Sequence, residues 1–127
     1  MKLRFDKNSI RLRVKKSELL ELQQKNFVQE NISFPNGSFS YKLSISNLAT
    51  EVETRTQSQS IEVIIPSDMA ALWMNDEEVG IYHAITFGNN ESINVIIEKD
   101  FPCKDKSEEV NQDTFVELAA KHSNDQC

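Results

Sequence analysis

Apolar and polar residues alternate with a period of two through most of this chain, and the densest run is Ser92-Ile93-Asn94-Val95-Ile96-Ile97-Glu98-Lys99. Ile93, Val95 and Ile97 share one face, and Ile96 makes the other partly apolar. A strand apolar on both faces belongs inside a sheet, covered on both sides. The turn Gly88-Asn89-Asn90 precedes it, and the charges Glu98-Lys99-Asp100 close it before Phe101-Pro102-Cys103. This pattern predicts a central strand whose charged end emerges into solvent at the rim of the sheet.

The other elements follow from the same period. Leu3 and Phe5 alternate with Lys2 and Arg4. After the turn Asp6-Lys7-Asn8-Ser9, Ile10, Leu12 and Val14 alternate with Arg11 and Arg13. That is a hairpin with one apolar and one basic face. Ser17 is the predicted N-cap of a first helix, with Glu18 in its first turn, Leu19, Leu20 and Leu22 inward, and Asn26 as the stop. Strands are predicted over 28–34, 38–46 and 60–65, separated by the Pro35-Asn36-Gly37 turn and by 51–58. The segment 51–58 is polar on both faces and reads as an edge strand or an extended loop. Pro66-Ser67-Asp68 starts a second helix with Met69, Leu72 and Trp73 as its stripe, and 79–87 with 92–99 are the last two strands. Trp73 is expected to pack on the sheet near Ile61, Val63 and Ile65.

The order is ββα, several strands, then αββ, with no internal repeat, low-complexity tract or linker. It predicts an α+β fold: a largely antiparallel, strongly twisted sheet of about six to eight strands with two helices packed on its core face. Residues 1–103 form the expected single domain. Residues 104–127 read as a polar tail, in which Thr114-Phe115-Val116-Glu117 has the form of a capping box and opens a short helix.

Composition narrows the function. At 127 residues, 39% hydrophobic and 27% charged, the chain suits one soluble globular domain. It is long enough to bury roughly two thirds of its unfolded surface without a staple. The net charge is −6, yet residues 1–16 carry seven bases and one acid, leaving −12 for the rest. A general nucleic-acid-binding surface is therefore not expected. Neither a signal peptide nor a membrane span is visible, so no membrane association is expected and the cytoplasm is the simplest compartment. Cys103 and Cys127 do not make a disulfide framework.

The segments Met1-Lys2-Leu3-Arg4, Asn8-Ser9-Ile10-Arg11-Leu12-Arg13, Ile65-Pro66 and Ile97-Glu98-Lys99-Asp100-Phe101-Pro102-Cys103 resemble a family of small bacterial proteins of unknown function. The shared features are an Asn-Ser-Ile-Arg-Leu-Arg hairpin and a Glu-Lys-Asp-Phe-x-Cys strand end, so the resemblance reaches almost from end to end. It implies a single-domain bacterial protein and brings no activity, cofactor or site residue.

Candidate chemistry is sparse. Lys2, Arg4, Arg11 and Arg13 crowd onto one face of the first hairpin, where directly opposed like charges are destabilising. One account is a charge ladder with Glu98, Asp100 or Glu62. The other is a phosphate or carboxylate site formed by Arg4, Arg11 and Arg13, for which the arginine fork is suited. Glu98-Lys99-Asp100 would serve acid–base catalysis only if burial shifted a pKa. Glu51-Val52-Glu53-Thr54-Arg55 resembles the acidic signature of triphosphate-tunnel enzymes, but the inward bases that accompany it are missing, and the match reads as chance. His83, in phase with Ile81 and Ile85, reads as a core histidine. No zinc spacing joins Cys103, Cys127, His83 and His122, and three glycines build no phosphate loop. The expectation is a protein without catalytic residues, metal or cofactor. A protein-interaction or structural module is favoured over a small-anion binder, with partner and oligomeric state left open.

Overall fold

The computed structural model describes residues 1–75, 78–101 and 113–118. The amino-terminal alternation forms the hairpin β1 (Lys2–Asp6) and β2 (Ser9–Val14). Helix α1 (Lys16–Lys25) follows and stops at Asn26, whose left-handed backbone (φ 68°) is tolerated best by asparagine and glycine. Next come β3 (Phe27–Phe34), β4 (Gly37–Ser46), β5 (Glu53–Gln57) and β6 (Ser60–Pro66). Helix α2 (Ser67–Asn75), β7 (Gly80–Phe87) and β8 (Glu91–Lys99) complete the elements of the main body.

The strands form two four-stranded sheets rather than one, in the orders β1-β2-β8-β7 and β3-β4-β6-β5. Four neighbouring pairs are antiparallel. The central pairs, β2 with β8 and β4 with β6, are parallel. The expected single sheet fails for a physical reason. Each helix carries the chain away from its hairpin, so the apolar strands β2 and β6 find their second neighbours in distant hairpins. Strand β8 does lie inside its sheet, and β5 is an edge.

The structure contains a repeat that the residues do not display. Each sheet consists of two hairpins joined through the parallel pairing of their second strands. Along the chain, residues 1–46 and 53–99 each read ββαββ, and each sheet takes one hairpin from each unit. The registers coincide. Lys2↔Arg13 in one sheet corresponds to Glu53↔Ile64 in the other, Ser9↔Asn94 to Ser60↔Ser40, and Phe87↔Glu91 to Phe34↔Gly37. Bonds beyond the ladders repeat as well: Asn94 N–H to Asn8 O matches Ser40 N–H to Gln59 O, and Lys99 N–H to Val79 O matches Ile45 N–H to Asn26 O. The two ββαββ units are intertwined, and the repeat went unseen because equivalent positions keep their polarity on the inner faces and little else.

One core lies between these elements. It takes Ile10, Leu12, Val14, Val95 and Ile97 from the first sheet, and Val28, Leu43, Ile61, Val63 and Ile65 from the second. Helix α1 packs along β3, and α2 bridges β4 and β6 of one sheet with β7 of the other. Trp73 is buried, and its indole N–H donates to the Val79 carbonyl at 3.0 Å, which satisfies its one polar atom. Leu20 and Leu72, expected inward, are 58% and 65% exposed; Ala70 takes the buried place on α2. Neighbouring positions on a helix stand about 100° apart, so Leu20 beside the buried Leu19, and Leu72 beside the buried Trp73, turn away from the core.

The amino end of α1 is held from outside the helix. Lys15 N–H donates to Glu18 Oε1 at 2.9 Å. Instead of Ser17 acting as the cap, Ser17 donates its backbone N–H and its hydroxyl to the Asp113 carboxylate, at 3.0 and 2.8 Å. A single turn of 3₁₀ helix, Val116–Leu118, follows, and Phe115 and Leu118 join the core. The expected division at residue 103 and most of the tail, 104–112 and 119–127, lie largely outside the described residues.

Candidate functional site

Residues opposed across a ladder share a face, so the registers lay out the outer face of the first sheet in rows. One row is Lys2, Arg13, Glu98 and Gly80; the next is Arg4, Arg11, Ile96 and Tyr82; the third is Asp6, Ser9, Asn94 and Ala84. Period-two alternation brings the basic residues together, as the sequence suggested. It also places Glu98 among them, because the parallel pairing sets Arg13 directly beside Glu98.

Glu98 is the hub. Its Oε1 lies 3.3 Å from Arg13 Nε and 3.5 Å from Arg11 Nε, and its Oε2 accepts the Tyr82 hydroxyl at 2.9 Å. Gly80 makes the arrangement fit. A Cβ at that position would stand 2.8 Å from Glu98 Cγ, 2.8 Å from the Ile97 carbonyl oxygen and 3.1 Å from the Tyr82 hydroxyl. A glycine within a strand marks a close approach of this kind. Gly80 and Tyr82 are the members of the cluster that residue-by-residue reading passed over, and a glycine in a β-rich run was the available signal.

The charged strand end is a correction to the sequence reading. Glu98, Lys99 and Asp100 are 2%, 4% and 2% exposed, where a solvent-facing rim was expected. The chain does not leave the sheet after Lys99. Asp100 N–H donates to the Val14 carbonyl at 2.8 Å, and Phe115 N–H donates to the Asp100 carbonyl at 2.7 Å, so the carboxy-terminal segment lies over the strand end. Arg13 adds to the cover, its guanidinium 4.9 Å from the centre of the buried Phe101 ring. Lys99 sits on the opposite face beside Val14, its ammonium 5.8 Å from the Phe115 ring.

Burial without partners is costly for a charge, and the cluster answers most of that cost internally. Asp100 Oδ2 is the exception: among the described residues it accepts no hydrogen bond and meets Lys2 Nζ at 3.3 Å as an ion contact. Among the described residues Arg4 has no acid within bridging distance. It is exposed, and its direct cross-strand neighbour is Arg11. Of the three arginines of the expected anion site, Arg11 and Arg13 therefore share Glu98, and Arg4 meets no acid among the described residues. Glu62, also considered as a partner, lies on the other sheet, where it accepts from the Ser44 hydroxyl at 2.8 Å and faces Lys42.

The other polar groupings are structural in geometry. The Met1 ammonium pairs with Glu18 and, at 3.3 Å, with Glu30, and the Tyr41 hydroxyl donates to the Met1 carbonyl at 2.7 Å. Burial, then the Glu30 and Glu18 carboxylates, hold the Tyr41 hydroxyl above its ordinary pKa. His83, on the core-facing side of β7, lies 3.8 Å from Glu51. Among the described residues no group of three or more His, Cys, Asp or Glu is arranged to hold a metal ion, and no helix is long and apolar enough to cross a membrane. Cys103, Cys127 and His122 lie outside the described residues.

The site is thus a built ion cluster on the outer face of a four-stranded sheet in a small mixed α/β protein. A family model of unknown function, DUF7009, matches residues 1–118, and the chain belongs to that family. No curated protein and no solved structure matches the chain. The family is one of unknown function and assigns no activity to the chain.

Proposed function

We propose that this protein is a non-enzymatic protein-interaction module that docks through the outer face of its first sheet. The observation carrying the reading is the arrangement around Arg4. An exposed guanidinium sits directly across from Arg11, with no acid of its own among the described residues, on a face whose other cations are tied to Glu98 and Asp100. Opposed like charges without compensation cost stability. Four bases (Lys2, Arg4, Arg11 and Arg13) against three acids (Asp6, Glu98 and Asp100) leave the face with a net charge of +1 on a protein whose net charge is −6. Glu98 cannot act as a free acid–base group while two guanidiniums and a phenol hold it.

A photo-crosslinking amino acid placed at Ala84, exposed on this face, should trap a protein partner in cells. The same residue at Asn31, the equivalent position on the second sheet, should trap none. Equal yields from both positions would remove the reading.

A small-anion site at Arg4, Arg11 and Arg13 is the second reading, favoured by the Arg4–Arg11 adjacency. It requires stabilisation by millimolar phosphate that saturates as RT ln(1 + [L]/Kd) and exceeds that of chloride at matched ionic strength. It also requires that Arg11→Ala with Arg13→Ala abolish the effect. The internal pairing of those two arginines argues for no phosphate-specific effect.

A further inference from the structure

Resting on that reading, we infer that the partner presents an acidic extended segment, which adds as a strand to the outer edge of β1 with its carboxylates against Arg4.

Strand β1 ends its sheet, and among the described residues it makes no backbone hydrogen bond to any strand but β2. Its outward row of N–H and C=O groups is a template for another strand. Three further edges exist, β7, β3 and β5, and charge separates them from β1. The outer-face residues of β7 are Gly80, Tyr82 and Ala84, and those of β3 are Phe27, Gln29 and Asn31, all uncharged. On β5, Arg55 stands where β1 has Arg4, but its cross-strand neighbour is the acid Glu62. Only β1 sets an edge cation against a second cation.

An added strand repeats side chains on one face every second residue. Alternating carboxylates would therefore fall beside the Lys2–Arg13 and Arg4–Arg11 rows in turn. Arginine's planar fork favours such a partner over a point-charge contact. Phe5 is exposed on β1 itself, on the face opposite Arg4, so the second face of an added strand would meet apolar surface. Lys or Arg on an edge also deters self-pairing, but deterrence needs no second cation directly opposite.

The test is a titration of the full chain with a short synthetic peptide alternating glutamate and threonine, followed by backbone amide shifts. The inference expects saturable binding, shifts centred on Leu3–Phe5, and weakening with added salt. Arg4→Glu, an exposed edge substitution, should lower affinity by about tenfold or more, equivalent to roughly 1.4 kcal/mol. N-methylation of alternate peptide nitrogens along the pairing edge should lower it by about as much, because it removes backbone donors and leaves every charge. If the methylated peptide binds equally well, strand addition is wrong while the docking face survives. If the glutamine version binds as tightly as the glutamate one, the charge reading of the face fails too. Shifts centred on β3, β5 or β7 would assign the wrong edge and overturn the inference.

Discussion

The outer faces of the two sheets share one backbone plan and carry different chemistry. Where the first has the row Lys2, Arg13, Glu98 and Gly80, the second has Glu53, Ile64, Ser44 and Phe27. Where the first has Arg4, Arg11, Ile96 and Tyr82, the second has Arg55, Glu62, Lys42 and Gln29. Opposite signs alternate across the second row of the second sheet, so that face neutralises itself. The corresponding row of the first sheet holds two cations and no acid, and borrows Glu98 from the row beside it. A fold built twice has kept its pairing and diverged in its charges. The divergence, rather than the fold, distinguishes the two faces.

The inner faces diverge in size and not in polarity. On the helices Leu19 and Leu22 of α1 occupy the places of Ala70 and Trp73 of α2, all four buried. A large and a small residue on one helix fill what two medium residues fill on the other. Trp73→Ala should therefore give the largest loss of stability, about 3–5 kcal/mol, and Leu22→Ala slightly less, within about 2–5 kcal/mol. Denaturant unfolding of both variants checks this. If Leu22→Ala were nearly neutral, α1 would be an ornament on the core, and the two units would not be energetic equivalents.

The outer faces should differ more sharply. Glu98→Ala strands two guanidiniums and the Tyr82 hydroxyl, and breaking a buried pair costs about 3–5 kcal/mol. Arg11 keeps 30% exposure and Arg13 12%, so solvent offsets part of that, and the lower end is expected. At the equivalent position Ser44→Ala removes one hydrogen bond to Glu62, worth about 1 kcal/mol. Thermal melts that rank the two alike would erase the distinction between the faces.

Much of this was legible in the residues. Alternation located seven of the eight strands and put Arg4, Arg11 and Arg13 on one face; β5 fell in a segment readable as an edge strand or an extended loop, and caps with apolar stripes marked both helices. It could not show which hairpins would meet, because β2 and β8 are separated by most of the chain and parallel pairing leaves no local signal. The fate of Glu98-Lys99-Asp100 depended on that same long-range pairing and on Phe115 returning over the strand end. Three adjacent charges look solvated until the elements that cover them are known. Asp113 capping α1 is another contact between distant residues, and no local pattern announces it.

That cap separates the first unit from the second, since α1 is the helix that Asp113 restrains. The Ser17 hydroxyl and then its backbone N–H hold the Asp113 carboxyl below the usual aspartate range. A group depressed in the folded state contributes stability above its unfolded value, near 3.9, and loses it as the pH falls through the folded value. Asp113→Asn should cost about 1 kcal/mol at neutral pH, as lost caps do. It should also flatten the stability profile below about pH 4. A variant whose acid profile overlays the wild type would mean that the cap adds nothing in solution.

The central claim is that Glu98 belongs to Arg13 and Arg11 and leaves Arg4 open for a partner. Two double-mutant cycles measured by denaturant unfolding test it most directly, one pairing Arg13→Ala with Glu98→Ala and one pairing Arg4→Ala with Glu98→Ala. The expected coupling is above about 1 kcal/mol for Arg13 and within about 0.5 kcal/mol of zero for Arg4. Equal couplings, or a larger one for Arg4, would place Arg4 inside the cluster and contradict the account.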